Sequence, residues 1–342
     1  MTTPLLRAGR LWAVLRQAGR AVARTAIAVP WRRTAAARVP PTRFAPNGPV
    51  RIAYDVRGRG RPLVLVQGVG IGRWGWQPVA DRLARRFQVI TVDNRGIGAS
   101  DSPLGHFSTR AMAQDVLAVL DHAGIPQASV LGTSLGGMIA QELALTHPER
   151  VDRLVLVATL PGGPRSRPMP LGATYLFAAA PFLTDKARLR QFVNNALGPA
   201  TRRGRPAIAE RLAAAKLAHP QSEAAWRAQV AAGMLFNPLG RQRRITQPTL
   251  VIQGTADQVV DPGNAGVLAD LLPNARVELF HGAGHLLYWE HPRRFARMVT
   301  SFLTDPAAST LRSSWPVRRA SRSPAAGPSW NWPWPGWGPR CT

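Results

Sequence analysis

Between Ala128 and Ala140 the chain turns from strand to helix with almost nothing in between. Residues 129–131 read as a short buried strand, and 137–145 carry apolar residues at helical spacing. Gly132-x-Ser134-x-Gly136 joins the two. A serine at the point of so sharp a turn must take a cramped backbone conformation. Only glycine-sized residues two places before and after it let strand and helix approach that closely. The turn lifts the hydroxyl above the sheet edge and sets it at a helix N-terminus, whose free N–H groups favour negative charge. A nucleophile that creates an oxyanion requires that setting. The competing reading is an ordinary glycine-rich turn with an idle serine.

The rest of the chain repeats the strand–helix rhythm. Residues 51–56, 62–66, 87–92, 153–157, 249–253 and 276–280 read as strands. Residues 76–85, 109–123, 266–272 and 292–303 read as helices, the second with Met112, Val116, Val119 and Leu120 facing inward and Gly124 as its stop. Such alternation predicts the α/β class: a mostly parallel central sheet flanked by helices. Residues 161–247 break the rhythm. They are rich in alanine and arginine, with helical pieces near 173–183, 186–197, 208–217 and 223–236. They read as a helical cap inserted between two strands. The expected organisation is a basic extension over 1–46, a first part of the core over 47–160, the cap over 161–247, a second part of the core over 248–304 and a tail over 305–342.

Charge separates the ends from the middle. The chain carries 44 basic and 18 acidic residues, net +26, yet ten arginines lie in 1–54 and five in 306–342 with no acid among them. The middle keeps a net charge of only +11. No basic motif interleaved with aromatics marks a nucleic-acid module, so no specific nucleic-acid partner is expected. In 11–26, Leu11, Leu15, Ala18, Val22 and Ala26 share one helical face and Arg10, Arg16, Arg20 and Arg24 the other. Two readings stand open: a helix that contacts an anionic membrane peripherally through residues 1–30, or a loosely ordered tail. Arginines interrupt the stretch too often for a secretory signal, and no apolar run reaches 18 residues. The expected location is therefore cytoplasmic, with the membrane surface as the alternative. The tail holds Trp315, Trp330, Trp332, Trp334 and Trp337 without any period and reads as disordered. A single cysteine, Cys341, excludes an internal disulfide.

A serine hydroxyl needs an adjacent base, and the base needs an orienting partner. In an open α/β sheet both belong on loops at the C-terminal edge of the strands. Asp257 follows the strand 249–253 through Gly254-Thr255-Ala256. His285 follows the strand 276–280 through His281-Gly282-Ala283-Gly284. Asp257 is preferred to Asp261 because it follows its strand more closely, and His285 to His281 because His281 precedes the glycine turn.

Gly132-x-Ser134-x-Gly136, Asp93-x-Arg95-Gly96-x-Gly98-x-Ser100, Gly254-x-x-Asp257 and Gly284-His285 together resemble the α/β-hydrolase fold superfamily over about residues 50–304. The resemblance implies that Ser134 is the nucleophile, His285 the general base and then acid, and Asp257 its orienting carboxylate. It also implies an oxyanion hole made by the backbone N–H groups of Leu135 and Val69. Where the family usually has His-Gly this chain has Gln67-Gly68, and a glutamine can bridge loop backbone groups instead. Asp93 and Arg95 read as a structural turn clamp, and Trp74 and Trp76 as packing beside the loop. Tyr175, Phe177, Phe182, Phe192, Trp226, Met234 and Phe236 are candidates to line an apolar acyl pocket. The implied activity is that of a serine hydrolase acting on a small-molecule carboxylic ester or lactone, with no metal and no organic cofactor. The alternatives are a cofactor-free haloperoxidase or perhydrolase, an acyltransferase, and a non-catalytic binding protein of the same fold.

Overall fold

The computed structural model describes residues 40–306, apart from 172, 175–178 and 180–182. The chain divides after Pro41, and the unit beginning at Thr42 holds the sheet. The stretch 11–26, read either as a membrane-contacting helix or as a loose tail, and the tryptophan-rich tail lie outside the described residues.

Strands β1 (Arg43–Asn47), β2 (Val50–Arg57), β3 (Arg61–Val66), β4 (Phe87–Val92), β5 (Ala128–Thr133), β6 (Val151–Val157), β7 (Thr249–Gly254) and β8 (Ala275–Phe280) form one sheet. Their order is β1-β2-β4-β3-β5-β6-β7-β8. β1 and β2 run antiparallel to their neighbours, and the remaining pairs are parallel. The sheet therefore starts inside the stretch expected as a basic extension. Pro46 is tolerated because β1 is an edge strand, hydrogen-bonded along one side only. Its Ala45 is fully buried.

Side-chain alternation divides the core between the two faces of the sheet. Along β3, Val64 and Val66 enter one cluster and Leu63 and Leu65 the other. The helices, in chain order, are α1 (Ala80–Leu83), α2 (Thr109–His122), α3 (Leu135–Thr146), α4 (Asp185–Ala196), α5 (Pro199–Gly204), α6 (Pro206–Ala218), α7 (Glu223–Met234), α8 (Asn264–Leu271), α9 (Leu287–Glu290) and α10 (Pro292–Thr304). α2, α3 and α8 cover the first face with Met112, Val116, Ile139, Leu143 and Leu268. α1, α9 and α10 cover the second with Leu83, Leu287, Phe295, Val299 and Phe302. The Ser108 hydroxyl caps α2 by accepting from the Ala111 N–H at 3.1 Å, a cap that contributes about 1 kcal/mol. The helix expected over 76–85 shrinks to a 3₁₀ turn at Arg73–Trp76 and the four residues of α1. Pro78 between them removes a backbone donor.

Among the described residues four helices, α4 to α7, lie between β6 and β7, while the helical piece expected near 173–183 falls largely outside the described residues; α5, which opens on Pro199, was not anticipated. Among the described residues no helix is long and apolar enough to cross a membrane. The strand order reverses between β3 and β5, since β4 follows β3 outward on one side and β6 follows β5 on the other. Loops leaving the C-terminal ends of two such strands diverge and leave a crevice. The loop after Val66 and the turn at Ser134 both open there.

Candidate active site

Ser134 lies at φ 54° and ψ −121°. A non-glycine residue held there stores roughly 1–3 kcal/mol of strain and persists only where its surroundings leave no alternative. Its N–H donates to the Val157 carbonyl at 2.9 Å, and its carbonyl accepts from the Gly137 N–H at 2.9 Å and the Thr159 hydroxyl at 2.7 Å. A side-chain carbon on Gly132 would strike the Gly136 carbonyl, and one on Gly136 would strike the Val66 carbonyl. α3 begins at Leu135, two residues earlier than expected, directly behind the serine.

Asp257 and His285 come from the loops after β7 and β8. Both are buried, at 2% and 7% exposure. Oδ1 of Asp257 accepts from the N–H groups of Val259 at 2.7 Å and Val260 at 3.0 Å. Oδ2 accepts from Gln253 Nε2 at 2.9 Å and faces His285 Nδ1 at 2.9 Å. The carboxylate is thus fixed by donors on its own loop and on the strand before it, with one oxygen turned to the imidazole. An anion beside Nδ1 selects the tautomer that carries the proton there, which leaves a lone pair on Nε2. The residue before the histidine is fixed as well: Glu290 accepts from the Gly284 N–H at 2.6 Å and from the Gly198 N–H at 3.2 Å. Of the rival residues, His281 is exposed, and Asp261 accepts from the Gly263 N–H at 2.7 Å.

Ser134 and His285 line one cavity of about 90 Å³ together with Gly68 and Val69. Ile71, Phe192, Trp226, Val259 and Leu286 make its apolar wall. A surface groove of about 490 Å³ bordered by Arg82, Arg85, Arg293 and Arg297 contains none of these residues. Gly68 lies against the serine: a side-chain carbon there would sit 2.9 Å from Ser134 Cβ and 3.4 Å from Oγ. The N–H groups of Val69 and Leu135 have no hydrogen-bond partner among the described residues. Leu135 is the first residue of α3, where an N–H has no acceptor within the helix.

Gln67 does not bridge the loop backbone as expected. Its Oε1 accepts from the Tyr288 hydroxyl at 3.1 Å, and the loop backbone is tied instead by Asn94 Nδ2, which donates to the Gln67 carbonyl at 2.8 Å. Burial pushes the Tyr288 hydroxyl above its ordinary pKa, so it stays protonated as a donor. Asp93 and Arg95 act as a clamp. Asp93 accepts from the Arg73 N–H at 2.7 Å, Arg73 Nε at 2.9 Å and the Ala99 N–H at 3.1 Å. Arg95 forms a bidentate pair with Asp115 at 2.6 and 2.7 Å. Trp74 stacks on His219 and Trp76 packs on Tyr288; both are buried outside the cavity.

Of the apolar candidates, Phe192 and Trp226 reach the cavity. Met234 does not, being 70% exposed, and Phe236 is buried in the core of the first face. Helical spacing alone could not separate those faces, because α7 carries small residues around much of its circumference. Tyr175, Phe177 and Phe182 lie outside the described residues. Gln253, Asn94 and Glu290 were not anticipated. Gln253, at the end of a buried strand four residues before the aspartate, offered the one visible signal.

A family model described as the alpha/beta hydrolase fold matches residues 61–292. A Mycobacterium tuberculosis protein named as a proposed non-heme bromoperoxidase is 35% identical over 265 residues, covering 76% of this chain and all of that protein. A 2-hydroxymuconate semialdehyde hydrolase of a Pseudomonas species is 32% identical over 275 residues, covering 77% and 93% of the two chains. Among solved structures, Est816, described as an N-acyl homoserine lactone degrading enzyme, is 30% identical with a TM-score of 0.67, covering 76% of this chain and all of its own. The esterase RhEst1 of a Rhodococcus species is 29% identical with a TM-score of 0.67, covering 77% and 98%. Sheet order, elbow and relatives agree, and the chain belongs to the α/β hydrolase fold family, as an enzyme of that fold.

Proposed function

We propose that this protein is a serine hydrolase that cleaves a carboxylic ester or lactone through an acyl-enzyme. The observation that carries the reading is the 2.9 Å contact between His285 Nδ1 and the buried Asp257, in a cavity that His285 shares with the strained Ser134. Ser134 Oγ attacks the substrate carbonyl carbon while His285 Nε2 takes the hydroxyl proton. The carbonyl oxygen becomes an anion that accepts from the Val69 and Leu135 N–H groups; losing one such donor typically costs about 10²–10³ in rate. The C–O bond to the leaving group then breaks, and His285 returns its proton to that oxygen. Water attacks the acyl ester with His285 again as base, which releases the acid and restores the serine. The apolar wall of Ile71, Phe192, Trp226, Val259 and Leu286 favours an uncharged acyl group.

A second reading has hydrogen peroxide attack the acyl-enzyme in place of water, giving a peracid. Its support is the similarity to the Mycobacterium protein named for bromoperoxidase activity. A fluorophosphonate probe separates catalysis from mere binding. The wild type is expected to label and Ser134→Ala is not; a folded wild type that stays unlabelled removes the proposal. Turnover of p-nitrophenyl esters and lactones, with and without peroxide, then ranks the two readings.

A further inference from the structure

The loop that carries the Val69 N–H is held by side chains from outside both the loop and the sheet. Gln229, wholly buried on α7, accepts from the Gly70 N–H at 3.0 Å through Oε1 and donates to the Arg95 carbonyl at 2.9 Å through Nε2. Lys216 on α6 donates to the Gly70 carbonyl at 2.6 Å. A side-chain carbon on Gly70 would sit 3.2 Å from Lys216 Nζ and 3.3 Å from Trp226 Cδ1, so α6 and α7 press directly on this residue. The insertion therefore fixes the peptide planes on both sides of Gly70. The peptide bearing the Val69 N–H is the next one along, and since each plane is rigid only the two torsions of Val69 separate it from the clamp.

Lys216 occupies a setting that ordinary stability does not recommend. Its ammonium lies 5.7 Å from the centre of the Phe192 ring, and burial lowers its pKa to about 8. Among the described residues no carboxylate pairs with it. A partly buried charge that receives a carbonyl and a ring face but no carboxylate is costly unless that contact is needed.

We propose that Gln229 and Lys216 are positioning residues which, by clamping Gly70, aim the Val69 N–H at the reacting oxygen, so that the oxyanion hole is complete only while α6 and α7 are seated on the core. The inference rests on the serine-hydrolase reading above. Trp226 of α7 and Phe192 of α4 also line the cavity. Displacing these helices to admit a substrate releases Gly70, and reseating them rebuilds the donor geometry around the bound molecule. Admission and chemistry are thereby coupled.

The test compares the full-length wild type with Gln229→Met, Lys216→Met and Lys216→Arg. The readouts are kcat and KM on a p-nitrophenyl ester and the affinity for a trifluoromethyl ketone, which forms a tetrahedral oxyanion on the serine. Both methionine variants are expected to lose about 10-fold or more in kcat, below the about 10²–10³ for deleting a donor outright. Ketone affinity should fall by the same factor while KM changes little, and Lys216→Arg should restore most of both. A packing role alone would move KM and thermal stability without touching the ketone. Folded variants with wild-type kcat and ketone affinity overturn the inference, and if Gln229→Met does not fold, the Lys216 pair decides. Failure of the underlying reading is separate: it appears as an unlabelled wild type or an active Ser134→Ala, and the inference falls with it.

Discussion

In β5 and β7 every residue is buried, whereas α4, α6 and α7 of the insertion bury two, one and three residues. The sheet is held from both faces by Val, Leu, Ile and Phe, each worth about 1.5–3 kcal/mol when fully buried. The insertion buries fewer apolar residues, among them Leu197, Leu212 and Ala232, and adds directional polar contacts to the core. Besides Gln229 and Lys216, Gln221 Nε2 donates to the Gly96 carbonyl at 2.9 Å and Arg205 Nη1 to the Glu290 carbonyl at 2.8 Å. A typical hydrogen bond adds only about 0.5–1.5 kcal/mol net, but it fixes an angle as well as a distance. One region supplies stability; the other supplies alignment. A region with few buried apolar groups also opens locally at lower free energy than the core.

The largest expected effect separates chemistry from stability within the sheet. Ser134→Ala and Asp257→Asn should each lower kcat roughly 10⁴-fold or more. Steady-state esterase assays read the loss, and the melting temperature of Ser134→Ala should stay at the wild-type value. Near-normal turnover in either variant would break the assignment of the chemistry to these loops.

Next comes the clamp at the base of the crevice. Asp93→Ala removes three hydrogen bonds from a buried carboxylate and is expected to cost about 3–5 kcal/mol, seen as a lower urea midpoint. A cost below about 1 kcal/mol, the range of an exposed pair, would place this turn with the insertion and not with the core.

Leu212, the one fully buried residue of α6, sharpens the comparison directly. Leu212→Ala should cost about 2 kcal/mol or more. By hydrogen exchange the loss should be confined to amides of α6 and α7, with β5 and β7 unaffected. Equal acceleration in β5 would mean that sheet and insertion open as one unit.

The smallest effect is a pH dependence. Burial places the folded-state pKa of Lys216 at about 8, below its ordinary value of 10.5. Above pH 8 the unfolded chain keeps a proton that the folded one releases, so stability rises with pH toward 10.5. Below pH 8 the burial penalty is present in full. Measured against Lys216→Met in denaturant titrations, the wild type should gain stability between about pH 8 and 10. A flat difference would mean that Lys216 is as well solvated in the fold as in the unfolded chain.

Much of the architecture was legible because it is written in local pattern. Runs such as 63–66 and 154–157 are apolar throughout, as a strand covered on both faces favours. β1 escaped notice because an edge strand can carry prolines that a central one cannot, and α5 because six residues opening on Pro199 resemble a turn. Three of the insertion's helices, α4, α6 and α7, could be located from their spacing, but which face of each meets the cavity could not. Met234 and Phe236 were misjudged for that reason, while Phe192 and Trp226 were not.

The sequence by itself determined the elbow at Ser134 and the strand-end loops that bear Asp257 and His285. In each case the constraint is steric or topological and acts within a few residues. Only the tertiary structure decided that Gln229 and Lys216 hold Gly70, that Tyr288 meets Gln67 and that Glu290 braces Gly284. Gln229 and Lys216 stand 159 and 146 residues from their partner, and Tyr288 stands 221 from its own. Contacts at such separations depend on how helices rotate and settle against the sheet, a choice made by packing over the whole core and not by the period of any one segment.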